Sequence, residues 1–256
     1  MKIKIIVAAH KPYWMPSDPC YLPVHAGKEG KSAIGFTGDD TGTHISAKND
    51  TFCELTALYW AWKNLEADYL GLVHYRRYFT KKECFGPQKK KEQILTKKDW
   101  EELLQKHPVI VPDKRNYWIE TNRSHYNHAH PGIGLDETER IIAEKYPEYS
   151  TAFTSVMNRT SAHMFNMFVM RRDLCDAYCT WLFDILFALE QRIDISGFDE
   201  YNKRVFGFVG ERLPDVWLEK HQIAYKEQNV SFLEPQNWLK KGGAFLKRKF
   251  FGGGFD

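Results

Sequence analysis

The sequence predicts an α/β fold with a largely parallel central sheet flanked by helices. Two observations predict it. Short apolar runs at residues 3–8, 69–73 and 108–112 alternate with longer stretches of helical periodicity. No internal repeat breaks the 256 residues, and a chain of that length can bury one large core.

The elements follow in order. Residues 3–8 form a buried strand closed by His10, Lys11 and Pro12. Residues 12–42 carry turn signals at Ser17-Asp18-Pro19 and Gly38-Asp39-Asp40. They read as a long loop with one short strand near residues 33–36. Asn49 or Asp50 caps a helix over residues 51–64, whose apolar face is Leu55, Leu58, Tyr59 and Trp62. The strand at residues 69–73 then stops abruptly at His74-Tyr75-Arg76-Arg77. The lysine-rich residues 81–98 read as a solvated excursion, 99–107 as a short helix and 108–112 as a strand. Residues 117–134 read as an aromatic, histidine-rich loop, followed by a helix at 136–145. A strand at 164–170, a long apolar helix at 172–190 and a helix at 207–221, interrupted at Pro214, complete the pattern. In such sheets ligands gather at the carboxyl ends of strands.

Composition narrows the function. A net charge of +3 argues against a nucleic-acid binder. The C-terminal end differs, with Lys240, Lys241, Lys247, Arg248 and Lys249 set among Trp238, Leu239, Phe245, Phe250 and Phe251. This mixture suits an anionic membrane surface, or a frayed basic tail. The chain therefore divides into one domain over residues 1–230 and a basic, aromatic tail over 231–256. Five scattered cysteines without a CxxC pair imply reduced thiols and a cytoplasmic address, with peripheral contact at the inner face of the membrane. No apolar run is long enough for a signal peptide or a spanning helix. The high share of aromatic residues, 15%, serves core filling first and sugar stacking second.

Five groups of residues could carry chemistry. His74, Arg76 and Arg77 stand at a strand's carboxyl end, where planar guanidinium forks suit a diphosphate. Their bland alternative is an arginine pair satisfying carboxylates or helix carbonyls. His10 and Lys11 close the first strand, where a nucleotide would meet the sheet edge. No GxGxxG or Walker motif is present, which disfavours a dinucleotide site and a P-loop. His125-Tyr126-Asn127-His128-Ala129-His130 lacks standard zinc spacing and a nearby cysteine, so it reads as an acceptor-site loop or a plain surface loop before a metal site. Asp39-Asp40 could hold a metal but more often marks a turn. Glu211, beside Arg212, is a candidate base for removing a hydroxyl proton, or one half of an ion pair. Asp199 and Asp136 are its substitutes.

Two strings are long and specific: Glu54-Leu55-Thr56-Ala57-Leu58-Tyr59-Trp60-Ala61-Trp62-Lys63-Asn64 and His74-Tyr75-Arg76-Arg77-Tyr78-Phe79. With Asn166-Met167-Phe168-Val169-Met170 and Gly207-Phe208 before Glu211-Arg212-Leu213, they resemble a bacterial family of capsular and exopolysaccharide glycosyltransferases long catalogued as a domain of unknown function. The resemblance covers roughly residues 3–225. It implies a GT-A-like fold, a UDP-sugar donor and a lipid-linked or oligosaccharide acceptor. Some members transfer galactofuranose by inversion without a DxD metal motif, so a galactofuranose or galactose donor is expected. The family's motif positions fall on Asn49, Glu54, Trp60, Lys63, His74, Arg76 and Arg77. Chemistry then assigns Glu211, Arg76 and Arg77 to catalysis. His10, Lys11, Asn49 and His74 are assigned to the donor nucleotide. Tyr117, Trp118, His125, Tyr126 and Asn166 are assigned to the acceptor. Where a metal-dependent relative would carry its DxD, this strand ends in HYRR, so fixed guanidinium charge replaces a metal and no cofactor is expected. Rival classes are a non-catalytic glycan-binding module and a metal-dependent hydrolase or phosphotransferase.

Overall fold

The computed structural model describes residues 1–234. The basic tail around residues 238–251 lies outside the described residues. The chain begins with strand β1 (Ile3–Ala9), β2 (Tyr21–His25) and β3 (Thr37–Gly38). Helices α1 (Asn49–Phe52) and α2 (Leu55–Asn64) lead to β4 (Tyr69–His74) and β5 (Arg77–Phe79). After α3 (Pro87–Glu92) and α4 (Lys97–Leu104) come β6 (Val109–Pro112) and β7 (Arg115–Asn116). Three helices follow: α5 (Asn122–Ala129), α6 (Ile133–Lys145) and α7 (Ser150–Asn158). Then come β8 (Ser161–Ala162), β9 (Phe168–Arg171), α8 (Arg172–Glu190), α9 (Val205–Gly210) and α10 (Leu213–His221). Strands β10 (Lys226–Gln228) and β11 (Val230–Phe232) close the described chain.

The sheet runs in the order β10-β6-β9-β4-β1-β2-β3. β1 is parallel to both β2 and β4, and β10 is parallel to β6. β9 is antiparallel to both β4 and β6, so every other strand on this path points the same way. The mostly parallel α/β sheet is the one expected. The carboxyl ends of β1, β4 and β6 consequently share one edge, and the residues that enter β9 arrive at that same edge.

Apolar β1 is buried on both faces, as parallel sheets require. Ile6 and Ala8 pack with the helical layer built around α2, α8 and α9. Ile3, Ile5, Val7 and Ala9 pack on the other face with Trp100 and Leu104 of α4 and with Tyr75, Tyr78 and Phe79. Arg172 ties the layers together, donating to the carbonyls of Trp62 and Leu65 at the end of α2 at 2.8 and 2.6 Å. A Cβ on Gly71 of β4 would stand 2.7 Å from Val169 Cγ2 and 2.9 Å from the Phe168 carbonyl. Gly71→Ala should therefore push β9 away and cost about 1–3 kcal/mol in urea denaturation, an overpacking penalty.

Several local expectations are corrected. Residues 21–25, read as loop, form β2. Pro23 is tolerated because β3 reaches only Val24 and His25, leaving an edge position there. No strand covers 33–36. The single helix expected over 51–64 is broken at Cys53, which takes a φ of 53°, and the first segment starts at Asn49 without a side-chain cap. The helix expected from Asp99 starts at Lys97, because Thr96 and Asp99 form a capping box. Residues 122–129, expected as loop, are helix α5, whose N-terminus is capped by the Thr121 hydroxyl. The break expected at Pro214 lies at Glu211-Arg212, and Pro214 begins α10, where its missing N–H costs nothing.

Candidate active site

A cleft of about 1360 Å³ opens at the carboxyl edge of the sheet. This exceeds the few hundred to about a thousand Å³ typical of drug-sized ligands. Its floor is the end of β1 with His10, and His74 to Arg77. One wall is the α1–α2 break, with Asn49, Cys53 and Glu54, together with Arg204, Phe208, Glu211 and Arg212. The opposite wall is the segment after β6, with Arg115, Tyr117, Trp118, Glu120 and His125.

Glu211 enters the cleft because the chain breaks between α9 and α10. Gly210 permits this: a Cβ there would lie 2.7 Å from Leu55 Cδ1, so α9 could not approach α2 as it does. Burial pushes the Glu211 carboxyl up to about 7, and the charge of Glu54 adds to the rise. Arg212, Arg77 and Arg115 pull it back. Arg212 Nη1 stands 3.7 Å from the Glu211 carboxylate, longer than a hydrogen bond, and donates instead to Met164 Sδ at 2.7 Å. Glu211 thus sits in the range of a working base at neutral pH.

Glu54 is held by partners far along the chain. Asn166, with φ 53°, donates its amide to Glu54 at 2.7 Å and to the Gly207 carbonyl at 3.2 Å. Asn166 is buried and does not line the cleft, so the expected acceptor contact gives way to a positioning contact with Glu54. His74 Nε2 donates to the Phe165 carbonyl at 2.6 Å and stands 3.8 Å from Glu54. That bond fixes the tautomer and spends the Nε2 proton. Burial, then the arginines, hold the His74 pKa down despite Glu54. Asn49 lines the cleft, with its amide donating to the Cys53 carbonyl at 2.7 Å and to Thr56 Oγ1 at 3.2 Å. It supports the helix break that turns Glu54 inward.

The arginines differ in their partners. Arg76 pairs with Glu234 at 2.9 Å and lies over Tyr75. Arg77 is half-buried between the rings of Phe165 and Phe232, at 4.4 and 5.3 Å from their centroids, and burial lowers its pKa. Arg115, which the sequence reading passed over, lies 5.7 Å from the same Phe165 ring. Its signal was present: Asp113-Lys114-Arg115 follow the carboxyl end of β6, as HYRR follows β4. Arg204 also lines the cleft, donating to Cys53 Sγ at 3.1 Å.

His10 lines the floor, and burial followed by the charges of Arg76 and Lys11 keeps it below its usual pKa. Lys11 does not line the cleft and lies 5.8 Å from the Tyr75 ring. Tyr117 and His125 stack at 3.9 Å, and burial with Arg212 and Arg115 pushes His125 down to about 3. Trp118 is 83% exposed with φ 60°, unusual for a bulky residue. Tyr126 is fully buried in the helical core and lines no part of the cleft, which corrects its expected acceptor role. The stack of His130 on Phe208, at 3.9 Å, and the exposed Tyr201 were also missed, because residues 201 and 208 belong to a distant part of the chain.

The acidic pair after Gly38 does not fit a metal site. The Asp39 carboxylate accepts from the Gly27 and Lys28 amides at 2.9 and 3.0 Å and from the Ser46 hydroxyl, while Asp40 pairs with Lys28. Asp136 pairs with Arg123, and Asp199 accepts from the Asn202 amide, so neither substitutes for Glu211. Among the described residues no group of three His, Cys, Asp or Glu converges as a metal-holding set. No described helix is long and apolar enough to cross a membrane.

Comparison with known proteins places this geometry. No curated protein matches the chain significantly. Among solved structures it is similar to the apo structure of WbbM, a bifunctional glycosyltransferase, with 32% sequence identity and a TM-score of 0.84. The match covers 92% of this chain and 46% of WbbM, so the chain spans about half the length of that protein. Residues 4–222 match the model of a domain of unknown function, DUF4422. With most of its length and the whole of its described cleft edge inside that match, the chain belongs to the DUF4422 family.

Proposed function

We propose that this chain is a glycosyltransferase that moves a hexose, galactofuranose or galactose, from a UDP-sugar to a hydroxyl of a growing surface polysaccharide. The observation that carries the reading is Glu211, a partly buried carboxyl raised to about 7 in a cleft that Arg76, Arg77, Arg115, Arg204 and Arg212 also line. The similarity to WbbM, a glycosyltransferase, supports the same class. In the proposed reaction Glu211 takes the proton of the acceptor hydroxyl. The acceptor oxygen attacks the anomeric carbon from the face opposite UDP, the bond to the β-phosphate oxygen breaks, and its electron pair leaves with UDP. Configuration inverts. The cleft's guanidinium groups, led by Arg77, meet the charge that develops on the diphosphate. His10 and the Asn49 edge face the nucleotide, while Tyr117, Trp118 and His125 face the acceptor. With HYRR at the strand end and Asp39 fully engaged, the proposed chemistry is metal-independent. The basic tail would hold the enzyme against the inner membrane face beside a lipid-linked acceptor.

A thermal-shift series with UDP and UDP-sugars, each with EDTA and with manganese, tests this. UDP should raise the melting temperature with EDTA present, since a ligand selective for the native state must stabilise it. Sugar transfer should also persist in EDTA. A shift seen only with manganese overturns metal independence. No shift in either condition near millimolar UDP overturns the transferase and favours a glycan-binding module.

A further inference from the structure

We propose that the anion seat of the cleft is the pair Arg77 and Arg115 gathered around Phe165, and that Arg76 stands outside it. This deepens the transferase reading by naming the groups that take the diphosphate. Both guanidinium groups approach one ring, Arg77 at 4.4 Å and Arg115 at 5.7 Å from its centroid, so a single ligand the size of a diphosphate can reach both. Both line the cleft, and neither forms an ion pair among the described residues. Most other cations near the cleft are engaged. Arg76 holds Glu234, Arg204 bonds to Cys53 Sγ and Arg212 bonds to Met164 Sδ. Arg77 is half-buried, and Glu211 and Glu54 act on its charge only from beyond ion-pair distance, which leaves its guanidinium open to an anion.

The scaffold around the pair is built to hold it. Phe165 sits between β8 and β9 with φ 79°, in the left-handed region that a bulky residue rarely adopts. Its carbonyl is held by His74 at 2.6 Å, which keeps the ring at the floor. Arg115 pairs through its backbone with Ala162 of β8, so its fork is carried by a strand rather than a free loop. Arg76 is different: a diphosphate would first have to displace Glu234 from a partly exposed ion pair.

The test is titration calorimetry of the full chain with UDP, uridine and inorganic pyrophosphate. Arg115→Ala is the first variant because this side chain is exposed and its loss should not unfold the protein; its melting temperature without ligand checks that. Arg77→Lys keeps the packing between the two phenylalanines but removes the planar fork. Each should weaken UDP and pyrophosphate binding at least tenfold and leave uridine binding unchanged. Arg76→Ala should weaken UDP binding less than about threefold, as expected for an exposed ion-paired group. Unchanged UDP affinity in Arg115→Ala overturns the seat while leaving the transferase reading intact. Pyrophosphate bound through Arg77 and Arg115 without any preference for UDP supports the seat and overturns the UDP-sugar reading. Binding of neither ligand to the wild-type chain overturns both.

Discussion

Glu211→Gln is expected to lower turnover by roughly 10²- to 10⁴-fold and, at the same time, to make the protein more stable at pH 8. The first effect follows from loss of the proton acceptor. The second follows from burial, which lifts the carboxyl from an ordinary 4.5 to about 7. The folded state therefore keeps this proton while the unfolded chain releases it above about pH 4.5. Stability falls as pH rises from there through about 7, then stays lowered by on the order of 1–3 kcal/mol. Glutamine carries no charge and escapes that penalty. Urea denaturation at pH 8 should favour the variant, and the difference should vanish near pH 4.5. For the wild type, kcat/KM should rise as pH passes through about 7, because the base works deprotonated. A variant less stable than wild type at pH 8 would instead mark Glu211 as the structural partner of Arg212.

Asp215→Ala should cost about 2–5 kcal/mol, the loss expected when the acceptor of two buried hydrogen bonds is removed. Asp215, on α10, accepts from the backbone N–H of His163 at 3.0 Å and from its ring Nδ1. Both residues are buried, and the other ring nitrogen faces Glu227 at 3.3 Å. Without the carboxylate two buried donors are stranded at once. His163 directly follows β8, which pairs with β7 and its Arg115, so the damage reaches the cleft as well. Asp215→Asn retains an acceptor for the backbone and should lose about half as much. Guanidinium denaturation of the three proteins measures this, and a loss under 1 kcal/mol for the alanine variant would remove the pair from the framework.

What the sequence could say about this fold depended on how local each signal was. The helix Arg172–Glu190 was expected at the residues where it is found, because its apolar residues recur with helical period over five turns. The turn after β4 was legible because cations at the end of an apolar strand are not core chemistry. Helix α5 was not, since Asn122 to Ala129 is mostly polar and its start rests on one threonine cap. The direction of β9 has no signature in periodicity at all. In the site, Glu211 and the basic strand ends could be found from nearby motifs. The contact of Asn166 with Glu54 spans 112 residues and could not. Tyr126 misled for a related reason: aromatic residues serve cores and ligands alike, and only packing decides which.

The reversed strand β9 also sets the order in which the protein can come together. β4 and β6 are made early, yet residues 168–171 supply the link between them. Until that segment emerges, Leu70 and Leu72 on one strand and Val109 and Ile110 on the other border unpaired apolar edges that can capture a neighbouring chain. At ribosomal speed this exposure lasts some seconds. The same insertion brings Phe165 to the cleft floor and Asn166 to Glu54, so that part of the site forms together with the centre of the sheet.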